Sequence, residues 1–389
     1  MSGLAFYEFF AGGGMARLGL GPAWTCLFAN DFDAAKAAAY EQNHGAGVMR
    51  CADVAGLGAS DLPGRADLAW ASFPCQDLSL AGVGRGLGSR GANTATRSGA
   101  LWSFWRLIEA LRREGRAPPV VALENVAGLL TSARGEDFTA LIALLAEGGY
   151  RAGALVMDAA DFLPQSRPRV FVVAVDAAVA LPAGLVSPGP GGRFAPPALQ
   201  AAHARLPRNL AARWIWWRAP PAPGAPSFLV DLVEAAPSDV SWDSAAMTGR
   251  FVDQMSASNR AKLDAALASG TRVVGTLYRR TRAGPDGGRQ VRSEVRFDGV
   301  AGCLRTPGGG SSRQRLLIVD DGAVRSRLVS GREAARLMGI PDSYRLPPGY
   351  TAAYHLAGDG VAVPVVRHLA RQLLEPLAWV ARGSATLAA

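Results

Sequence analysis

Residues 66–76 read ADLAWASFPCQ: an apolar run of strand length, interrupted by one aspartate, leads into a proline and a cysteine. A cysteine in this position is expected at the carboxyl edge of a parallel sheet, where open α/β folds bind their ligands. A lone buried cysteine is more often a small apolar side chain than a nucleophile. Cys75 is therefore a candidate nucleophile only if residues elsewhere in the chain support it.

The amino-terminal part of the chain has the pattern of an α/β fold. Residues 1–178 alternate short apolar runs with helical patterns, which predicts βαβ units and a doubly wound, Rossmann-like sheet. The predicted strands are 4–10, 24–29, 68–71, 120–123, 154–157 and 170–175, with a further short strand ahead of Asp53. The predicted helices are 34–42, 101–113 and 137–147.

The pattern changes after residue 180. Proline, glycine and tryptophan interrupt residues 181–226, which indicates a domain boundary, and the chain up to residue 325 predicts a smaller, irregular, loop-rich domain. Helices predicted at 330–337 and 365–374 return the chain to the first domain. The predicted domains are therefore 1–178 together with 326–389, and 179–325. The small, polar tail 382–389 is predicted to be disordered.

Composition restricts the class of protein. The chain has 389 residues, 49% of them hydrophobic, which is enough to form a core of domain size. No segment is apolar over the ~20 residues that a membrane span requires, and the amino terminus lacks a signal-peptide pattern. We therefore expect a cytoplasmic protein. The four cysteines show no C-x-x-C pairing and no histidine at zinc-ligand spacing, so we expect reduced thiols and no metal site.

The charge of the chain indicates a polyanionic partner. The formal net charge is +9, and the basic residues are arginines apart from Lys36 and Lys262. Arginines concentrate between Arg272 and Arg296 in the second predicted domain. This cluster favours a nucleic-acid surface, although a solvated basic face in the product of a GC-rich genome is the alternative.

The first predicted strand ends in a glycine-rich turn, FAGGG at residues 10–14. Glycines at a strand-to-helix turn let the backbone approach a ligand and direct N–H groups toward it. The dinucleotide fingerprint G-x-G-x-x-G would need a further glycine where Arg17 stands, which disfavours a dehydrogenase. Asp31 follows the second strand, where its carboxylate is either a ligand for ribose hydroxyls or an ordinary helix cap.

Five motifs in this order resemble the DNA (cytosine-5)-methyltransferase family of bacterial type: FAGGG at 10–14, FPCQ at 73–76, ENV at 124–126, QSRPR at 165–169 and GDGV at 358–361. The resemblance implies that Cys75 adds to C6 of cytosine and so activates C5 for methylation. It implies that Glu124 protonates N3 and that Arg169 contacts O2, while Gln165 and Arg167 support the site. Residues 81–97 match the family's mobile catalytic loop, and alternation predicts that Arg167 and Arg169 share one face.

The resemblance also implies the cofactor S-adenosylmethionine and a set of residues that bind it. These are Phe10, Ala11, Gly12, Gly13, Gly14, Asp31, Phe32, Asp53, Val54, Pro74, Leu101, Asp359, Gly360 and Val361. Three positions depart from the family pattern: Met15 replaces a glycine, Cys303 a threonine and Asp359 an asparagine.

The expected substrate is double-stranded DNA, from which the target cytosine must be flipped out, with residues 179–325 as the target-recognition domain. We expect a monomer on DNA in the bacterial cytoplasm, associated with the nucleoid, without a membrane partner and with a paired restriction endonuclease as a candidate partner. Three alternatives stay open: a cytosine-5 methyltransferase acting on RNA, a nucleotide-dependent oxidoreductase, and a DNA-binding protein on an inactive methyltransferase scaffold.

Overall fold

The computed structural model describes residues 3–74, 100–225, 227–283, 288–306 and 313–388. The chain forms two compact units. The first unit comprises residues 1–158, 168–222 and 361–389, and the second comprises 159–167 and 223–360. Cys75 and the predicted catalytic loop, residues 81–97, lie outside the described residues.

The strands of the two units are, in chain order, β1 (Leu4–Phe9), β2 (Trp24–Asp31), β3 (Met49–Cys51), β4 (Leu68–Ala71), β5 (Val120–Val126), β6 (Tyr150–Asp158), β7 (Pro168–Asp176), β8 (Val186–Ser187), β9 (Trp216–Trp217), β10 (Val273–Ala283), β11 (Arg289–Arg296), β12 (Arg315–Asp320) and β13 (Ala323–Leu328). The α-helices are α1 (Met15–Leu20), α2 (Ala34–His44), α3 (Ala100–Arg113), α4 (Glu136–Glu147), α5 (Pro197–Ala204), α6 (Arg208–Ala211), α7 (Leu229–Leu232), α8 (Ala245–Asp253), α9 (Ala257–Ala268), α10 (Gly331–Leu337), α11 (Tyr350–Asp359), α12 (Val363–Leu369) and α13 (Glu375–Ala388).

The first unit is built on a seven-stranded sheet in the order β3-β2-β1-β4-β5-β7-β6. β7 runs antiparallel to both β5 and β6, and the β3-β2-β1-β4-β5 pairs are parallel. The strand order reverses between β1 and β4, which makes the carboxyl ends of these strands the expected ligand edge. The doubly wound α/β prediction is confirmed, and each of the six strands with predicted bounds is present.

The sheet forms because its central strands are apolar on both faces. β1 and β4 are buried along their whole length, as expected for strands covered by helices on each side. α3 contributes Leu101, Phe104 and Trp105 to the core on one face of the sheet, where they pack with Phe9. A side chain at Gly19 of α1 would lie 2.4 Å from Val366 of α12, so these two helices approach each other closely.

The carboxyl-terminal tail is helical through residue 388, so the predicted disorder of residues 382–389 is wrong over the described part of this segment. Arg382 of α13 holds the tail in place through two contacts with Asp67, Nε to Oδ1 at 2.6 Å and Nη2 to Oδ2 at 2.6 Å. Asp67 precedes β4 and accepts a hydrogen bond from the backbone N–H of Ala5 at 2.7 Å. The tail is thus tied to the first strand of the sheet.

The unit boundaries differ from the predicted domain boundaries at three places, the first of which is residues 159–167, predicted in the first domain but part of the second unit. Residues 179–222 belong to the first unit, because Ile215 donates a backbone hydrogen bond to Ala152 at 2.9 Å and Trp217 Nε1 donates to Val173 O at 3.2 Å. Residues 326–360 belong to the second unit, because β13 pairs with β12. The functional division into catalytic and target-recognition domains stays a prediction.

The second unit contains a four-stranded antiparallel sheet in the order β11-β10-β12-β13. Phe251 of α8 and Leu263 of α9 cover one face, where they pack with Leu277, Val295 and Leu317. This region is more regular than the loop-rich domain expected from the sequence. The strand β10 reads VVGTLYRRTRA, whose arginines obscure the alternation that would reveal a half-buried strand.

Candidate active site

The glycine-rich turn connects β1 to α1 through backbone conformations that favour glycine. Gly12 has φ 54° and Gly14 has φ 77°. A side chain on Gly14 would lie 2.4 Å from His44 Nε2, whereas no atom of the described residues beyond its chain neighbours lies within 4 Å of the position a side chain on Gly12 would take. Among the described residues, α2 therefore fills the space beside Gly14, whereas space remains beside Gly12. Met15 is buried as the first residue of α1, so this departure from the family pattern falls in the helix and not in the turn.

Asp31 ties the end of β2 to the glycine-rich turn. Its Oδ2 accepts a hydrogen bond from Gly12 N at 2.8 Å, and its Oδ1 accepts one from Asp33 N at 2.9 Å. Asp33, and not Asp31, caps α2 by accepting from the backbone N–H groups of Ala35 and Lys36. Each carboxylate oxygen of Asp31 can accept more than one hydrogen bond, so the residue retains capacity for ribose hydroxyls.

The side chains around Asp31 suit an adenosine group. Phe32 is 72% exposed, which leaves its ring available to pack against an adenine base. Asp53 is exposed and begins the turn after β3, where its Oδ1 accepts from Ala55 N at 2.9 Å. Val54 is buried directly behind it.

The other residues of the first unit that are predicted to bind the cofactor are less exposed to solvent than Phe32 and Asp53. Leu101 is fully buried at the start of α3, where it is part of the hydrophobic core beside the sheet. Pro74 is half-buried after β4 and is the last described residue before Cys75. Val361 is buried just ahead of α12.

Glu124 and Arg169 form an ion pair between neighbouring strands. Arg169 Nε lies 3.2 Å from Glu124 Oε1, and the two side chains are 14% and 10% exposed. β5 and β7 pair with Val126 opposite Arg169 and Glu124 opposite Phe171, so the pair is diagonal across the antiparallel ladder. The guanidinium donors and the carboxylate are thus adjacent near the carboxyl end of β5.

Asn125 connects this pair to the chain that leads to Cys75. Its Nδ2 donates to Phe73 O at 3.1 Å, and its Oδ1 accepts from Val126 N at 2.8 Å. Asn125 is part of the Glu-Asn-Val motif, but no role was predicted for it from the sequence. Its position directly after a buried acid at a strand end is a signal that could have identified it.

The three described cysteines lie in different surroundings. Burial raises the pKa of the Cys26 thiol to about 11, so this side chain is protonated at neutral pH. Cys51 is exposed at the end of β3. Cys303 is half-buried in the second unit, where its Sγ lies 3.4 Å from Arg167 Nη1.

Gln165 and Arg167 belong to the second unit and bind backbone groups there. Gln165 is fully buried; its Nε2 donates to Leu337 O at 2.5 Å, and its Oε1 accepts from Leu304 N at 3.2 Å. Arg167 precedes β7, so the strand alternation that was expected to align it with Arg169 does not apply. Each of the two side chains thus holds backbone groups that are distant in sequence: Leu304 and Leu337 for Gln165, and Gly358 among others for Arg167.

Arg167 binds three carbonyl groups of the second unit. It donates to Leu304 O at 3.0 Å, Gly358 O at 2.9 Å and Gly360 O at 2.7 Å. It therefore fixes the Gly358-Asp359-Gly360 segment. Asp359 is exposed and accepts a hydrogen bond from the Thr306 hydroxyl. The oxygen of an asparagine side chain could accept the same bond, so this contact is compatible with either residue.

The family of the chain is now evident. The sequence profile of the family described as C-5 cytosine-specific DNA methylase matches residues 4–375. The chain belongs to this family. The resemblance inferred from the five motifs is confirmed, and the oxidoreductase interpretation is excluded.

Relatives of this methylase include bacterial type II enzymes. Type II methyltransferase M.NlaX of Neisseria lactamica is 27% identical over 377 residues, 96% of this chain and 97% of that protein. Type II methyltransferase M.HhaI of Haemophilus parahaemolyticus is 24% identical over 378 residues, 95% of this chain and 94% of that protein. The solved structure of S. pombe Dnmt2 methyltransferase has a TM-score of 0.59 at 18% identity and covers 96% of this chain and 99% of its own, which supports the fold.

This methylase is a DNA (cytosine-5)-methyltransferase that uses S-adenosylmethionine as its methyl donor. The described part of the first unit fits this cofactor in three respects. It leaves space beside Gly12, it places the Asp31 carboxylate at the end of β2, and it exposes the ring of Phe32. No group of acids, histidines or cysteines suited to a metal ion occurs in the described ranges. Within the same ranges, no helix is long and apolar enough to span a bilayer.

Proposed function

We propose that this DNA methylase modifies one cytosine within a specific duplex sequence, with Cys75 as the nucleophile and Glu124 and Arg169 as the residues that bind the base. The thiolate of Cys75 forms a bond to C6 of the flipped-out cytosine while Glu124 donates a proton to N3. C5 then accepts the methyl group from the sulfonium of the cofactor. Loss of the C5 proton to water expels the thiolate, and return of the N3 proton to Glu124 leaves the neutral aromatic ring of 5-methylcytosine.

The observation that carries this proposal is the Glu124–Arg169 ion pair. N3 is a ring atom of cytosine, and O2 is bonded to the neighbouring ring carbon C2. The groups that bind N3 and O2 must therefore also be adjacent. Arg169 Nε lies 3.2 Å from Glu124 Oε1, which supports simultaneous contact of the two side chains with N3 and O2. The partial burial of both side chains favours strong hydrogen bonds with the base, because little water competes.

The cofactor roles follow from the contacts at the sheet edge. We assign the ribose to Asp31, the adenine to Phe32, Asp53 and Val54, and the methionine part to the open side of residues 10–14, with Pro74 and Leu101 completing the edge. Asp359, Gly360 and Val361 are assigned to the same cofactor on the family pattern. Arg167 acts as a positioning residue for the segment 358–360, because it binds two of its carbonyl groups. Gln165 positions the backbone at Leu304 and Leu337, to which its amide is hydrogen-bonded.

The second unit is proposed to recognise DNA. The predicted recognition domain, 179–325, overlaps this unit over residues 223–325, which include most of its antiparallel sheet and its arginine-rich strands. Relatives named type II methyltransferases support a role in restriction and modification, with a paired endonuclease as partner. We further propose that the enzyme acts as a monomer in the bacterial cytoplasm.

A single experiment tests the substrate and the nucleophile. The purified full chain is incubated with isotopically labelled S-adenosylmethionine and either duplex DNA or RNA, and methylated cytosines are then mapped by sequencing. Methylation of DNA at one short sequence, absent in Cys75→Ala, is the expected result. Methylation of RNA alone would establish the RNA alternative, and retention of activity in Cys75→Ala would remove Cys75 from the mechanism.

A further inference from the structure

The second unit contains a cavity of about 260 Å³ that is separate from every residue assigned above to the base or the cofactor. Its described lining consists of Leu277, Arg279, Arg313, Arg315 and Leu328, which we call the arginine pocket. Leu277 pairs with Arg315 across β10 and β12, and Arg315 pairs with Leu328 across β12 and β13. These three side chains form a row across three strands, and Arg279 follows two residues after Leu277 on the same face.

Aromatic rings hold the three guanidinium groups. The guanidinium carbons of Arg279 and Arg315 lie 5.8 Å and 4.9 Å from the centre of the Phe251 ring. The guanidinium carbon of Arg313 lies 4.8 Å from the centre of the Tyr350 ring, and its Nη2 donates to Thr351 Oγ1 at 3.0 Å. Side chains fixed in this way lose less entropy when a ligand binds.

The hydrogen-bonding groups of the pocket suit an anion that only accepts. Arg315 uses Nη1 to bind Asp243, whose Oδ2 also accepts from Ser326 Oγ at 2.7 Å. A guanidinium group has five N–H donors, so this contact leaves Arg315 further donors. Among the described residues of the lining, the polar side chains are arginines, and an arginine donates but cannot accept.

The opposite face of the sheet differs. Arg280 and Arg282 alternate with Arg279 along β10, and both bind the same carboxylate: Arg280 Nε lies 3.1 Å from Glu294 Oε2, and Arg282 Nη2 lies 2.5 Å from Glu294 Oε1. The run of arginines in the sequence is thus divided between two faces. Arg280 and Arg282 therefore face away from the arginine pocket and do not line it.

We propose that the arginine pocket binds a backbone phosphate of the DNA substrate; the proposal rests on the proposed recognition of DNA by the second unit. The two free oxygens of a phosphodiester accept hydrogen bonds and carry the negative charge that three guanidinium groups attract. A guanine edge also offers two acceptors, but one arginine suffices to read it. Convergence of three arginines therefore favours phosphate over a base edge.

The test uses the full chain and a duplex that contains its methylated sequence. Each backbone phosphate near that sequence is replaced, one at a time, by an uncharged methylphosphonate, and DNA affinity is measured at several salt concentrations. The variant Arg279→Gln/Arg313→Gln removes two charges from the pocket but preserves the contact between Arg315 and Asp243. Arg260→Gln in α9, an exposed arginine of the same unit that pairs with Asp264 at 3.3 Å, is the matched control.

We expect the wild type to lose affinity at least tenfold at one methylphosphonate position. The pocket variant should lose this sensitivity at that position alone, and the slope of log affinity against log salt should decrease in magnitude by about 0.9, the value for one phosphate contact. Arg260→Gln should keep the wild-type methylphosphonate profile. Unchanged thermal unfolding and S-adenosylmethionine affinity show that the variant is folded.

Two results would overturn the proposal. One is a pocket variant with the wild-type profile and salt slope. The other is a variant that keeps the slope but accepts a different base pair, which would establish base readout in place of phosphate binding. If the wild type instead methylates no DNA, the proposed function fails separately, before the pocket variant is made.

Discussion

Arg169 binds Glu124 across β7 and β5, with Nε 3.2 Å from Oε1, so the proposed acid of the reaction is already oriented by the proposed O2 ligand. Removal of either partner would leave the other charge partly buried without this contact. The two side chains should therefore act as a unit, and variants at both positions should not have additive effects on the rate.

Glu124→Gln should lower kcat by about 10²–10⁴, because an amide cannot donate the proton that N3 needs in the transition state. The dissociation constant of S-adenosylmethionine should change little. Steady-state kinetics and calorimetry measure the two quantities. Glu136→Gln, at a carboxylate whose side chain is 74% exposed, is the control. A rate within a few-fold of wild type would assign Glu124 a different role.

Cys75 should form a covalent complex with DNA that contains 5-fluorocytosine, because fluorine at C5 blocks the elimination that releases the thiolate. Cys75→Ala should abolish the complex, and Cys51→Ala, which removes an exposed thiol, should not. Denaturing electrophoresis detects the complex, and mass spectrometry locates it. An adduct on Cys26, Cys51 or Cys303 would contradict the assignment.

Asp31→Ala should weaken S-adenosylmethionine binding at least tenfold, since it removes both the expected ribose ligand and the acceptor of the Gly12 N–H. Asp33→Ala provides a matched comparison. It removes the cap of α2, which should lower the free energy of unfolding by about 0.5–2 kcal/mol, and it should leave affinity nearly unchanged. Calorimetry and denaturant unfolding separate the two effects, and equal affinities for Asp31→Ala and wild type would remove Asp31 from the pocket.

Glu8 should make the stability of the first unit depend on pH. Burial raises the pKa of its carboxyl from an ordinary value of 4.5 to about 8, although Arg17 and the Tyr40 hydroxyl lower it and Asp31 raises it. The folded protein keeps a proton that the unfolded chain releases above pH ~4.5. Stability from this group is therefore fully present below pH ~4.5 and is lost as pH rises toward 8, by at most about 1.4 kcal/mol per pH unit.

Glu8→Gln should flatten this dependence between pH 5 and 8, because an amide does not titrate. Denaturant unfolding of wild type and variant across this range provides the measurement. Glu41→Gln, at an exposed position of α2, should keep the wild-type slope. Parallel profiles for wild type and Glu8→Gln would show that the carboxyl does not titrate in this range.

The sequence predicted the first unit well because its strands are short apolar runs between turns. β4 and β5 carry the motifs at their carboxyl ends, so strand prediction also located Glu124. The partners of Gln165 and Arg167 could not be predicted in the same way. Arg167 binds carbonyl groups 137, 191 and 193 residues away, and a main-chain carbonyl has no residue type to recognise.

The arginine cluster shows a different limit of sequence reasoning. Arg279, Arg280 and Arg282 are consecutive or nearly so, and they were interpreted as one nucleic-acid surface. Because successive strand residues point to opposite faces, Arg279 lines the arginine pocket while Arg280 and Arg282 bind Glu294. The strand had to be known before the charges could be assigned to a face.

The contact between Arg382 and Asp67 joins residues 315 positions apart. During synthesis the ribosome releases all seven strands of the sheet before residues 223–360 of the second unit, and α12 and α13 emerge only afterwards. Val366 cannot cover Gly19 of α1, and Arg382 cannot reach Asp67, until that last segment emerges. Residues 223–360 can therefore fold on the nascent chain before α12 and α13 cover the sheet that precedes them, and a chain that stops at residue 360 would leave that side of the sheet open to aggregation.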